Sequence, residues 1–88
     1  MNNEELVKIL EKAGFDCSDT FVYAPNLNVK KDNVDYVIQP KKGGIWILRG
    51  TAGFTTERLG RIEKFEDINK ENVEKILKEG NKDNWVRI

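Results

Sequence analysis

Two β-prone runs, residues 34–39 and 45–49, are joined by Pro40-Lys41-Lys42-Gly43-Gly44, a linker that ends in two adjacent glycines. Glycine takes the positive φ angles of tight hairpin turns without steric cost, so this stretch predicts an antiparallel strand pair. Loop length then sets the register. With a two- or four-residue loop, Val34, Tyr36 and Ile38 share one sheet face with Ile45 and Ile47, and Asp35, Val37, Gln39, Trp46 and Leu48 share the other; a three-residue loop would reverse the pairing. The first set reads as core. The second mixes polar and large apolar side chains, which marks Trp46 as a candidate for a partly covered, functional surface.

The hairpin is flanked by two amphipathic patterns. Near the N-terminus, Leu6, Ile9, Leu10 and Ala13 recur at helical spacing with Val7 beside them; Asn2 or Asn3 serves as the cap and Gly14 as the stop. A second helix is marked by Asn69 as N-cap, Glu71 in the first turn, Ile68 and Val73 placed as a hydrophobic staple, and a stripe of Val73, Ile76 and Leu77, with Gly80 closing it. Phe21, Val22 and Tyr23 predict a short strand ended by Pro25, residues 26–33 read as a polar loop, and residues 84–88 read as a final strand. Residues 59–65 fit a strand better than a helix, although Ile62 and Phe65 do not alternate. The expected fold is therefore α+β. An antiparallel or mixed sheet of four or five strands carries both helices on one face, in the order α-β-β-β-(β)-α-β.

At 88 residues there is room for one core, so a single domain is expected. A composition 39% hydrophobic and 34% charged supports a packed interior. The N-terminus is acidic, unlike a secretory leader, and no apolar run reaches the roughly 20 residues that cross a bilayer. The single cysteine, Cys17, cannot form an internal disulfide. These features predict a soluble protein of the reducing cytoplasm, with no membrane contact.

The absence of histidine removes the usual general base near neutral pH and the commonest transition-metal ligand. With one cysteine, an ordinary zinc site and a Cys-His or Ser-His pair are excluded, and no spacing singles out a pair of carboxylates. A non-enzymatic chain without cofactor or metal is expected. Cys17 reads as a small packed thiol, since neither a helix N-terminus nor a nearby cation would lower its pKa.

Fifteen basic and fifteen acidic side chains cancel, which argues against a surface wholly given to nucleic acid. The distribution is uneven. Five acids face two bases over residues 1–20 and five face three over residues 65–80, whereas eight bases face four acids over residues 30–64. Within that basic centre, segment 49–61 holds Arg49, Thr51, Phe54, Thr55, Thr56, Arg58 and Arg61 among three glycines. Glycine backbone, threonine hydroxyls and bidentate arginines are the parts of an anion site. The segment lacks the spacing and lysine of a P-loop, and its G-x-x-G tetrad, Gly50 to Gly53, follows a strand instead of joining two helices. A hairpin turn with its arginines on a solvated strand face accounts for the same residues. Lys30-Lys31 and Lys41-Lys42 extend the positive surface, with Trp46, Tyr36 or Phe54 able to stack on a base, and equally serve to keep turns and edges soluble.

The expected function is a non-catalytic binding module, a regulatory or inhibitory protein that contacts another protein through Trp46 and segment 49–61. The alternative is binding of an anion, nucleotide or nucleic acid by the same Gly/Thr/Arg segment.

Overall fold

A computed structural model of the chain describes residues 3–18, 22–23, 26–51, 53–80 and 85–87. Helix α1 (Asn3–Lys12) is followed by strands β1 (Val22–Tyr23), β2 (Asn26–Lys31), β3 (Val34–Lys41), β4 (Gly44–Arg49) and β5 (Thr55–Ile62). A 3-10 turn (Phe65–Asp67), helix α2 (Lys70–Glu79) and strand β6 (Trp85–Arg87) complete the order. All strand pairs are antiparallel, and the spatial order of the sheet is the chain order, β1 to β6. The α+β architecture is as expected, with four long strands at its centre and a very short strand at each edge. Among the described residues no helix is long and apolar enough to cross a membrane.

The sheet gains a strand where the sequence reads as a polar loop. In β2, Leu27 and Val29 are buried on the core face, and the polar Asn26, Asn28 and Lys30 alternate with them. The turn to β3 is Asp32-Asn33, both with positive φ (51° and 65°), the geometry that two-residue hairpins favour and that Asn and Asp tolerate better than other non-glycine residues. A period of two was present, but its outward positions are all polar and its apolar residues number only two. The outer edge of β2 is protected in part by the chain after α1. Asp16 N donates to Lys30 O at 2.6 Å, and Lys30 N donates to Asp16 O at 3.0 Å.

Between β3 and β4 the turn is the two residues Lys42-Gly43, and the register is the one an even loop requires. Ile38 lies opposite Ile47, Val37 opposite Leu48, and Gln39 opposite Trp46. Tyr36, Ile38, Ile45 and Ile47 enter the main core, whereas Val34, at the mouth of the β2–β3 turn, is 37% exposed.

Both helices pack on that core face. Leu6, Leu10 and Ala13 of α1 and Val73 of α2 are buried with Leu27, Val29, Ile38, Ile45, Ile47, Leu59 and Ile62. Phe15 meets Tyr36 edge to face, with ring centroids 5.8 Å apart. Asn69 caps α2 as expected, its side-chain oxygen accepting from Asn72 N at 2.9 Å, and the staple residues Ile68 and Val73 are both buried. The two helices end differently. Gly14 stops α1 with a φ of +102°, the left-handed conformation glycine takes freely. Gly80 closes α2 with an ordinary φ of −51°, and the need for glycine there is spatial: a Cβ would sit 2.4 Å from Leu59 Cδ2.

Replacing Gly80 with alanine should therefore cost about 1–3 kcal/mol through overpacking, well above the few tenths expected of an open helix end. Urea unfolding of Gly80→Ala, alone and with Leu59→Ala, tests this. A non-additive pair, with the alanine tolerated better once Leu59 is shortened, is the expected result, and additivity would show that the contact is not the cause.

Candidate functional site

The face of the sheet turned away from both helices is defined by the alternation of the strands. It carries Asn28 and Lys30 of β2, Asp35, Val37, Gln39 and Lys41 of β3, Trp46 and Leu48 of β4, and Thr56, Arg58 and Arg61 of β5. No described helix packs there, yet Val37 and Leu48 are fully buried, with Trp46 packed against them. Burying two such aliphatic side chains contributes about 1.5–3 kcal/mol each. The cover comes in part from the arginines of β5. The Arg58 guanidinium carbon lies 4.8 Å from the Trp46 ring centroid and that of Arg61 lies 5.5 Å from it, both within cation–π range. Arg58 Nε is buried without a hydrogen-bond partner among the described residues, as a guanidinium pressed onto a ring and a sheet would be.

Arg58 and Arg61 are three apart, and in a regular strand they would point to opposite faces. A β-bulge brings them together. Leu48 pairs with Arg58 and Ile47 with Gly60, so Leu59 and Gly60 together oppose one residue of β4. Leu59 turns into the core, and Arg61 comes to lie opposite Trp46. The same irregularity breaks the alternation within β5: Leu59 and Ile62 are both buried although they stand three positions apart.

Beside Trp46, the β3–β4 turn and the end of β5 form an open cleft lined by Lys41, Lys42, Trp46, Arg61 and Glu63. Arg61 is 3.0 Å from Glu63, an exposed pair contributing at most about 1 kcal/mol. Lys41, Lys42 and Arg58 have no carboxylate within ion-pair distance among the described residues. The other end of the same face has the opposite character. A hollow there is lined by Asp16, Ser18, Asn28, Lys30, Asp35 and Thr51, with Lys30 and Asp35 3.9 Å apart. The Asp16 carboxyl is held below its ordinary value, chiefly because the Ser18 hydroxyl donates to Oδ1 at 2.7 Å, with the Ser18 N–H adding a second bond at 2.9 Å and Lys30 a smaller attraction.

Segment 49–61 is thus not one continuous loop. It is the end of β4, a tight turn and most of β5. Two backbone donors at the turn are satisfied: Gly50 N donates to Asp35 O of β3 at 2.8 Å and Phe54 N to Thr51 O at 3.1 Å. Thr51 lines the hollow at the acidic end, Thr56 is wholly buried, Thr55 pairs with Arg87 in the ladder while its side chain lies outside the described residues, and Phe54 is 67% exposed at the turn. Arg49 parts from the other arginines. It lies on the helix-side face, 3.2 Å from Glu57, which is 3% exposed. The residues brought together are Trp46, Arg58 and Arg61. Lys41, Lys42, Val37 and Leu48 join them through the register of the β3–β4 hairpin, which a two-residue turn makes readable. Among the described residues no three His, Cys, Asp or Glu groups converge as a metal site, and Cys17 is buried and in no disulfide.

No protein-family model, curated protein or solved structure matches the chain.

The three arginines should rank differently in stability. Arg49→Ala leaves the buried Glu57 carboxylate uncompensated and should cost about 1–3 kcal/mol, the fully buried figure discounted because Arg49 is partly exposed. Arg58→Ala should cost about 1 kcal/mol through lost stacking, and Arg61→Ala less than about 0.5 kcal/mol. Chemical denaturation of the three single variants tests the order, and equal losses would contradict it. At the acidic end, Ser18→Ala should move the Asp16 midpoint up towards the ordinary aspartate value in a carboxyl NMR titration. A depressed folded-state pKa contributes stability above the unfolded value and loses it as pH falls through the folded one, so the variant should lose stability only above that acidic range.

Proposed function

We infer that this chain is a non-catalytic binding module that recognises another protein through its helix-free sheet face, acting as a regulatory or inhibitory protein of the cytoplasm. The observation that carries the reading is the cluster in which Arg58 and Arg61 lie over Trp46, above the buried pair Val37 and Leu48, on a face no described helix covers. Tryptophan and arginine are the residue types that most often anchor protein interfaces, and anchors work best where neighbouring groups exclude water. Here the aromatic anchor stands on a rigid sheet, so little side-chain freedom remains to be lost on binding. The absence of histidine and of any paired cysteine supports a role without catalysis.

A partner that stacks bases on Trp46 would have to displace the two guanidiniums already over the ring, which favours a protein over single-stranded nucleic acid. The deciding comparison is affinity capture from the native host by the wild-type chain and by Arg58→Ala/Arg61→Ala. The expected outcome is a protein held by the wild type and lost by a variant whose folded spectrum is retained. A partner held equally by both would remove this face from consideration. A captured nucleic acid whose affinity falls steeply with salt would replace the protein reading by phosphate binding.

A further inference from the structure

The two ends of the helix-free face differ in charge. At the β3–β4 end, Lys41, Lys42, Arg58 and Arg61 surround Trp46, with Glu63 as the one carboxylate lining the cleft among the described residues. At the other end lie Asp16, Asp35 and Lys30. Lys41 and Asp35 stand six residues apart on β3, roughly 20 Å at the rise of an extended strand. We propose that the basic end is a receptor for a short acidic segment of the partner protein, with carboxylates held by Lys41, Lys42 and the terminal nitrogens of Arg58 and Arg61. The proposal rests on the reading of this face as a protein-binding surface and names the chemistry that the face selects.

Three observations support it. First, Lys41 and Lys42 are exposed and carry no internal ion pair among the described residues, so their charge is open to an outside group. Second, a guanidinium held over an aromatic ring by its charge keeps N–H donors that can meet a carboxylate in bidentate geometry. Arg58 has no carboxylate partner among the described residues, so its terminal nitrogens are open to a ligand, and Arg61 would exchange the exposed Glu63 for one. Third, the attraction is local. A polyanion running the length of the sheet would meet Asp35 and Asp16 within about 20 Å, at a cost in like-charge repulsion that Lys30, the one cation lining that hollow among the described residues, offsets only in part. A segment with a few carboxylates over one end escapes that cost, and the acidic far end orients it.

The test titrates the 15N-labelled chain with tetraglutamate, tetraglutamine and an eight-residue oligothymidylate, following the Trp46 indole N–H, assigned through Trp46→Phe. Tetraglutamate should shift that signal saturably and weaken with salt, tetraglutamine should not, and Lys41→Glu/Lys42→Glu should lower the tetraglutamate affinity about tenfold. Because both lysines are exposed, the folded spectrum should persist, and Lys41→Gln/Lys42→Gln gives the same test without charge reversal. Oligothymidylate binding tighter than tetraglutamate at equal salt, a shift from tetraglutamine of equal size, or an unchanged affinity in both lysine variants would each overturn the proposal. Capture of the partner separates this failure from failure of the broader reading. If Arg58→Ala/Arg61→Ala loses the partner while the lysine variants keep it, the face stands and the acidic segment falls; if the arginine variant keeps it, the face itself falls.

Discussion

One extra residue in β5 organises both sides of this sheet. The bulge at Leu59 and Gly60 lets two consecutive side-chain positions serve the core, Leu59 by filling it and Gly60 by leaving room for Ile76, whose Cγ2 lies 3.1 Å from where a Cβ would be. The phase of the strand shifts by one beyond that point, so Ile62 still faces the helices while Arg61 joins Arg58 on the opposite side. Without the shift, either an arginine would be driven into the core or the stack on Trp46 would lose one member. Packing of α2 and the composition of the open face are therefore consequences of the same local irregularity.

Much of this was legible where one physical rule dominated. The even turn between β3 and β4 allows only one pairing parity, and it separates Ile38 and Ile47 from Val37, Trp46 and Leu48. The cap at Asn69 and the staple from Ile68 to Val73 are local signals, and the structure contains both. Strand β2 was hidden because Asn26, Asn28 and Lys30 make its outward positions polar, and because a turn built on Asp32 and Asn33 lacks the glycine that usually announces it. The bulge left no comparable signal: Ile62 and Phe65 fail to alternate because β5 ends at Ile62 and Phe65 already belongs to the 3-10 turn. For that reason segment 49–61 read as one basic loop, although Arg49 and the pair Arg58 and Arg61 lie on opposite faces.

The two faces hold their arginines by different physics. On the helix side, Arg49 neutralises a carboxylate that is almost wholly withdrawn from water, and its charge is spent within the fold. On the open side, Arg58 is held by an aromatic ring, which leaves its charge without a carboxylate partner among the described residues, and Arg61 shares that ring while its charge meets only the exposed Glu63. A chain with no net charge thus keeps a concentrated positive end without exposing an unordered cluster of cations.

The order of strands in space has a further effect, on how the sheet is assembled. From β1 to β5 each strand pairs with its neighbour in the chain, the described junctions Asp32-Asn33 and Lys42-Gly43 being turns of two residues, and only β6 returns across a helix. Closing a chain segment costs conformational entropy that grows with its length, and here the central pairings close the shortest loops available. The residues over Trp46 belong wholly to that inexpensive part, β3 to β5. The helix-free face is thus made of strands that can join as a zipper, before the long connection through α2 has to be ordered.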